Sequence, residues 1–331
     1  MATVSPEGEV TAVAPGTAMI TITTDDGGFT ATCIVNVTDS FITMTTLAAE
    51  VSIAVEIPLS AGSVNFVIDW GDGNVSNLGD SFYQSPFPYL DVIWFHFSYS
   101  YSGAFEHRIT ITGTNIQYLE CSWNFLTSLD VSQYPALKVL YCRGNQLTTL
   151  DVSKNTALES LYCTDNSFST LNVVNNSLTF LDINFCPLLT TLDVSRSTAL
   201  RSLRVNNSLL TTLDLSKNSA LEVLYCYDNQ QLTYIYMNNN TMLFRISCDG
   251  NQLTAYALND LFESLPDWSD SGRWGSIDIK GNPGTSDCDF SIAAGKGWGH
   301  WTSGMKSVEM EGHEELHLNF LKQFINNNKK Q

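Results

Sequence analysis

The chain has 331 residues, and its 16 Lys and Arg stand against 34 Asp and Glu, for a formal net charge of −18. That balance excludes nucleic-acid binding through a basic patch, because phosphate contacts need clustered cations. It also disfavours anionic membrane surfaces, and no apolar run reaches the roughly 18 residues that would span a bilayer. The hydrophobic fraction of 44% suffices for a packed core, and the length alone suggests two or three domains.

Within residues 1–38 the segments GEVTAVA, AMITITT and FTATCIVNV alternate apolar and polar side chains and are separated by PGT and DDGG, which predicts strands joined by turns. The stretch resembles the C-terminal half of a bacterial Ig-like domain of the second type. The resemblance implies that the earlier strands are missing, and Cys33 reads as a core residue of the last strand. The opening MATVSPEGEV has neither the positive nor the apolar region of a signal peptide. A truncated start is therefore expected, with any export signal in the missing part.

Residues 39–115 are again rich in strand patterns, among them VSIAVEI, SVNFVIDW, VIWFHFSYSY and HRITITG. The run Asp69-Trp70-Gly71-Asp72-Gly73, followed by FHFSYSYSGAFEHRITITG, resembles a PKD-type Ig-like sandwich; the insertion NLGDSFYQSPFPYLD departs from that pattern. Asp69 and Asp72 suit a tight turn better than a calcium site, and His96 and His107 suit core or aromatic packing better than catalysis. Because this segment runs directly into a repeat array, it is expected to cap the array's N-terminal edge.

From Leu126 the chain reads LTSLDVSQYPALKVLYCRGNQ and from Leu147 LTTLDVSKNTALESLYCTDNS, a period of 21 residues; further copies start at Leu189 and Leu210. Each copy holds L-x-x-L-x-V-S-x-N (Leu147, Leu150, Val152, Asn155) and then L-x-x-L-x-C-x-x-N (Leu158, Leu161, Cys163, Asn166), and the second half matches the leucine-rich repeat pattern. No copy has room for a full return helix. Short parallel strands are therefore expected on the cysteine side, with an extended or 3₁₀ return through LDVS. The fold class is accordingly mainly β: a leucine-rich repeat solenoid over residues 116–298, preceded by Ig-like sandwich modules.

The cysteine slot reads Cys121, Cys142, Cys163, Ile183, Val205, Cys226, Cys248, and the slot three residues on reads Asn124, Asn145, Asn166, Cys186, Ser208, Asn229, Asn251. Apolar substitutes at two rungs mark the first slot as a small buried hydrophobe. Stacked rungs lie about 4.8 Å apart with parallel side chains, whereas a disulfide wants Cβ atoms about 3.8 Å apart and suitably aimed. Free, buried thiols are expected, with a structural role for Cys121, Cys142, Cys163, Cys226 and Cys248. The asparagines are expected to satisfy backbone groups at the bends. These motifs resemble the 21-residue cysteine-ladder repeats of internalin-like bacterial surface proteins, over roughly residues 116–282. Ile183, Val205, Cys186 and Ser208 depart from the pattern and predict irregular middle coils.

Toward the C-terminus ALNDLFESLP predicts a helix, Ile277, Ile279 and Asn282 a final coil, and DFSIAAGKGW a short capping helix; residues 299–331 read as a helical or disordered tail. The tail contains His313-Glu314-Glu315-Leu316-His317, a match to the zinc-hydrolase pattern H-E-x-x-H. A catalytic zinc needs a third protein ligand, and the 14 residues after His317 include no His, Asp, Glu or Cys. No metal, cofactor or catalytic residue is therefore assigned and the chain is read as a non-enzyme, with zinc hydrolysis through His313, Glu314 and His317 kept as a remote alternative. Asp130, Asp151, Asp193 and Asp214 recur with the repeat and read as a solvated acidic face.

Strand parity sends the residues beside the Leu and Cys slots outward. On that face Tyr141, Arg143, Tyr162, Phe180, Arg204, Tyr225, Tyr227 and Arg245 form an aromatic and basic stripe on an acidic chain. Tyr and Arg are enriched among binding hot spots, so these are the candidate ligand-binding residues. The internalin resemblance implies an exported, monomeric, cell-surface or extracellular protein that binds a protein or host ligand in adhesion. A glycan-binding accessory role in polysaccharide use is the alternative, because tyrosine faces stack on sugar rings equally well.

Overall fold

The computed structural model describes residues 2–4, 10–12, 16–23, 29–37, 40–58, 66–81, 83–86, 92–103, 105–270 and 272–300. At the N-terminus Ala2–Val4 pairs with Val10–Ala12, and Gly16–Thr23 pairs antiparallel with Thr30–Val37. Cys33 does not sit in a core. Among the described residues its hairpin has only its own two strands, and Cys33, Met19 and Phe29 are all exposed.

The next segment builds two antiparallel layers. In one, Glu50–Pro58 pairs with Val92–Ser100, which pairs with Tyr83–Pro86. In the other, Phe41–Thr46 pairs with His107–Gly113, which pairs with Phe66–Asp69 and so with Val75–Asn77. Ile42, Met44, Ile53, Val55, Ile68, Trp70, Ile109 and Ile111 face each other between the layers and are fully buried. The Asp-Trp-Gly-Asp-Gly run is a tight turn. Asp69 Oδ1 accepts from Gly71 N at 2.9 Å, and Asp72 Oδ1 from Asn74 N at 3.0 Å. Gly71 adopts φ +82°, and a Cβ there would meet the Arg108 carbonyl oxygen at 2.3 Å, so only glycine fits.

Neither layer ends with the sandwich. Tyr118–Glu120, the first strand on the cysteine side, pairs antiparallel with Glu50–Pro58. From there the strands Val139–Tyr141, Ser160–Tyr162, Phe180–Asp182, Ser202–Arg204, Val223–Tyr225, Arg245–Ser247, Gly275–Asp278 and Trp298–His300 add in parallel, completing a twelve-stranded sheet. The last of these runs two residues past the boundary that the sequence suggests at residue 298. On the return side, Leu126–Asp130 pairs antiparallel with Phe41–Thr46 in the other layer. One continuous apolar core therefore extends from Ile42 to Trp298.

The leucine slot stacks in strict register, Leu119, Leu140, Leu161, Leu181, Leu203, Leu224, Ile246 and Ile277, each at most 1% exposed. The return is extended, but its pairing is intermittent: Thr170–Asn172 pairs with Thr191–Asp193, and Thr212–Asp214 with Tyr234–Tyr236.

Asparagine ladders close both bends. At the end of the cysteine-side strand, Asn166 Nδ2 donates to Cys163 O at 3.0 Å in its own coil and to Cys142 O at 2.9 Å in the coil before, while its Oδ1 accepts from Leu147 N at 3.1 Å. Asn145, Asn251 and Asn282 repeat this arrangement. At the opposite bend Asn155, Asn175, Asn218 and Asn240 donate to two carbonyls each, and Ser197 to one. The first rung, Asn124, turns onto the sandwich instead. It donates to Ser52 O at 2.7 Å and accepts from Ser52 N at 2.9 Å. Cys186 is a weak rung, because its thiol reaches Cys163 O only at 3.9 Å, and so is Ser208, whose hydroxyl donates only to Asn206 O of its own coil at 3.4 Å.

At the far end α1 (Ala255–Ser264) starts at Thr254, whose hydroxyl accepts from Ala257 N at 3.2 Å, and buries Ala257, Leu258, Leu261 and Phe262 on the last coils. Lys296, just past α2 (Ser291–Gly295), donates to Phe262 O at 3.2 Å and Leu265 O at 3.3 Å, which places a cation on the exposed carbonyls of α1.

These bends predict opposite outcomes for two substitutions. Asn166→Ala leaves buried backbone groups unpaired and should destabilise by about 2–4 kcal/mol. Cys186→Asn completes its weak rung and should stabilise by about 1 kcal/mol. Thermal unfolding of both variants against the parent checks this; a lowered midpoint for Cys186→Asn would refute the rung assignment.

Candidate binding face of the solenoid

The outer face of the twelve-stranded sheet carries the residues that strand parity selects, but their exposure differs sharply along it. Tyr141 is 2% exposed and Tyr162 7%, so the expectation that both stand open to a ligand is corrected. They face away from the leucine core yet bury each other. In-register parallel strands hold their rings 4.2 Å apart and 6° from parallel. The row extends at both ends, with Tyr118 5.2 Å from Tyr141 and Phe180 4.8 Å from Tyr162. Trp94, from the sandwich, closes it with an edge-on contact to Tyr118 at 4.2 Å. Burial holds the Tyr141 phenol well above its ordinary pKa, with the Tyr162 ring beside it adding to the effect.

Arginines interleave with this row. The Arg143 guanidinium lies 4.6 Å over Tyr162 and 5.4 Å over Tyr141, within cation–π range. It also lies 3.6 Å from Asp182, which accepts from the Thr164 hydroxyl at 2.9 Å. Arg204 bridges the next two aromatics, 5.3 Å from Phe180 and 5.7 Å from Tyr225. Tyr225, Tyr227 and Arg245 are half-buried. Asn184 and Asn206 pin the backbone below, accepting from Asn206 N at 2.7 Å and Tyr227 N at 2.9 Å. The structure thus brings Tyr141, Arg143, Tyr162, Phe180, Arg204 and Tyr225 into one continuous run.

Arg245 belongs to a different setting. It lines a cleft of about 540 Å³ together with Glu222, Phe244, Trp268, Arg273 and Trp274. Sequence parity misses this cleft because Trp268, Arg273 and Trp274 lie in a long final coil that breaks the repeat. It also passes over Trp94 and His96, although they alternate on Val92–Ser100 and continue the outer face into the sandwich. His96 is buried and stacks beside Trp94, and His107 stacks on Tyr101 at 3.7 Å.

The ladder thiols Cys121, Cys142, Cys163, Cys226 and Cys248 are each 0% exposed, and no disulfide joins the chain's cysteines. Burial raises the pKa of all five, and that of Cys186 to about 11, which keeps them as unreactive thiols. Among the described residues no cluster of three His, Cys, Asp or Glu could hold a metal ion. His313 and His317 lie outside the described residues. No helix of the described residues is long and apolar enough to cross a membrane.

The aspartate series on the return side is more than a solvated face. Asp130, Asp151, Asp193 and Asp214 each accept from the backbone N–H of the serine two residues on, at 2.8–2.9 Å. That bond holds the Asp151 and Asp193 carboxyls below the ordinary value of 3.8. A lowered folded-state pKa stabilises fully above the unfolded value and loses its contribution as pH falls through the folded one. Thermal stability should therefore drop below about pH 4, and less steeply in an Asp151→Asn, Asp193→Asn double variant; identical pH profiles would refute the assignment.

The family of bacterial Ig-like domains (group 2) matches residues 1–35. The functional domain of InlJ from Listeria monocytogenes, which includes a cysteine ladder, is similar at 35% identity over 55% of this chain and 38% of that one, with a TM-score of 0.46. An internalin, InlF, from Listeria monocytogenes str. 4b F2365 aligns at 16% identity over 50% of this chain and 74% of that one, with a TM-score of 0.23. The chain thus spans well under half the length of the InlJ chain it matches. No curated protein matches it in sequence. The solenoid carries a cysteine ladder of its own and is similar in sequence to that InlJ domain, and the segment before it is similar to bacterial Ig-like domains (group 2) over residues 1–35.

Proposed function

We propose that this is a non-enzymatic bacterial surface protein whose solenoid binds a protein ligand on the outer face of its long sheet. The supporting observation is the unbroken aromatic and guanidinium run from Trp94 to Tyr225 on a chain of net charge −18. Such a run offers broad, rigid contact area with little side-chain entropy left to lose. The two ends of the run have different roles. Tyr118, Tyr141 and Tyr162 form a sealed platform, while Arg204, Tyr225 and Tyr227 keep part of their surface for a partner. In this reading residues 1–38 and 39–115 act as Ig-like modules, the second also capping the solenoid, and they hold a monomeric binding domain away from the cell.

Paired substitutions test this division. Tyr141→Ala should lower stability by about 3 kcal/mol. Tyr225→Ala with Tyr227→Ala should leave the unfolding midpoint nearly unchanged. That double variant should weaken a captured surface-protein partner by roughly 30-fold, the equivalent of one hot spot of about 2 kcal/mol. Titration of the purified partner against each variant reads the effect, and undiminished affinity in the double variant would remove the face from consideration.

A further inference from the structure

The cleft beside Arg245 stands apart from the aromatic run in position and construction. Its volume, about 540 Å³, falls in the range of small-ligand sites, roughly 300–1,000 Å³. Trp274 is 56% exposed at its lining and Phe244 40%, while Trp268 is nearly buried. The frame is fixed: Trp268 Nε1 donates to Leu243 O at 3.1 Å, and Trp268 N donates to Lys296 O at 2.8 Å. The Arg273 guanidinium lies 5.4 Å over the Trp268 ring. Trp268, Arg273 and Trp274 sit in the stretch between Asn251 and Gly275 that lengthens the final coil beyond the repeat, so stacking of coils does not require them.

We infer that this cleft binds an acidic sugar residue of a glycan. A pyranose ring presents a face of C–H groups, which an exposed indole or phenyl plane can cover, and a rim of hydroxyl groups that needs planar polar partners. The cleft supplies both. Its charge favours an anionic sugar, since Arg245 and Arg273 contribute two guanidinium groups against the single carboxylate of Glu222, which Arg201 already engages at 2.6 Å. In a chain of net charge −18 that local excess of cation is unusual, and a guanidinium matches a carboxylate or sulfate through two parallel hydrogen bonds. An acidic peptide would satisfy the arginines but leave the exposed aromatic planes unmatched. The inference does not depend on the aromatic run, which ends at Tyr225 and contributes no residue to the cleft.

The full chain should be titrated calorimetrically with four oligosaccharide sets, hexuronic-acid-containing, sialylated, sulfated and neutral, and with a glutamate-rich peptide. Binding is expected for at least one acidic set, accompanied by a change in tryptophan fluorescence. Trp274→Ala should weaken it at least tenfold without moving the unfolding midpoint. Arg273→Gln should weaken it similarly and flatten its salt dependence, whereas Tyr225→Ala with Tyr227→Ala should leave it unchanged. The carboxylated and sulfated arms distinguish the source of the charge. Equal binding of neutral sugars, binding of the peptide alone, no binding, or full retention in folded Trp274→Ala would each overturn the assignment.

Discussion

Everything in the solenoid depends on what its bends do with backbone groups that the strands cannot pair. A coil of 21 residues with only a three-residue strand leaves many N–H and C=O groups facing an apolar interior, where each unpaired one costs about 1–3 kcal/mol. The asparagine side chain answers this because it carries both donor and acceptor on a short stem. Asn166 joins two coils through Cys142 O and Cys163 O on one side and Leu147 N on the other. Since each asparagine rung after Asn124 borrows a carbonyl from the coil before it, these coils are not complete by themselves, and stability is shared between neighbours.

That dependence makes the first coil a problem, and the sandwich resolves it. Asn124 has no earlier coil to bond, and it uses both amide atoms on Ser52 instead. The same junction pairs Tyr118–Glu120 with Glu50–Pro58 and Leu126–Asp130 with Phe41–Thr46, so both sides of the solenoid are continued at once. An open parallel edge would otherwise expose a row of unpaired groups. Tyr134 ties the return side down further, donating from its hydroxyl to Gly113 O at 2.9 Å.

The repeat reveals much of this because its slots answer to one constraint each. Leu161 and Cys163 alternate inward, Asn166 closes the bend, and absence of space for a helix forces an extended return. What periodicity does not convey is how neighbouring rows bury one another. Parity puts Tyr141 outward correctly, but its burial comes from Tyr118 and Tyr162 in adjacent coils, a property of stacked side-chain widths and not of any one strand. Cys33 is exposed for a related reason: alternation shows which face an apolar residue takes, and whether another sheet covers that face is a tertiary fact. The cleft lies where the period itself is broken, so the pattern that identifies the other coils has nothing to say about Trp268, Arg273 and Trp274.

The low charge density sharpens the meaning of the few cations on the sheet. Arg143 is occupied by Tyr141, Tyr162 and Asp182, and it stiffens the platform. Arg204 lies farther along, between Phe180 and Tyr225, where the surface begins to open. Arg245 lies beyond the aromatic row and turns into the cleft. Three arginines in three different rows of the outer face therefore meet three environments, one packed between tyrosines, one between Phe180 and Tyr225, and one at the cleft. A repeated scaffold gains distinct sites in this way: the ladder beneath keeps every coil alike, and the outer face is left to vary residue by residue because the ladder does not rely on it.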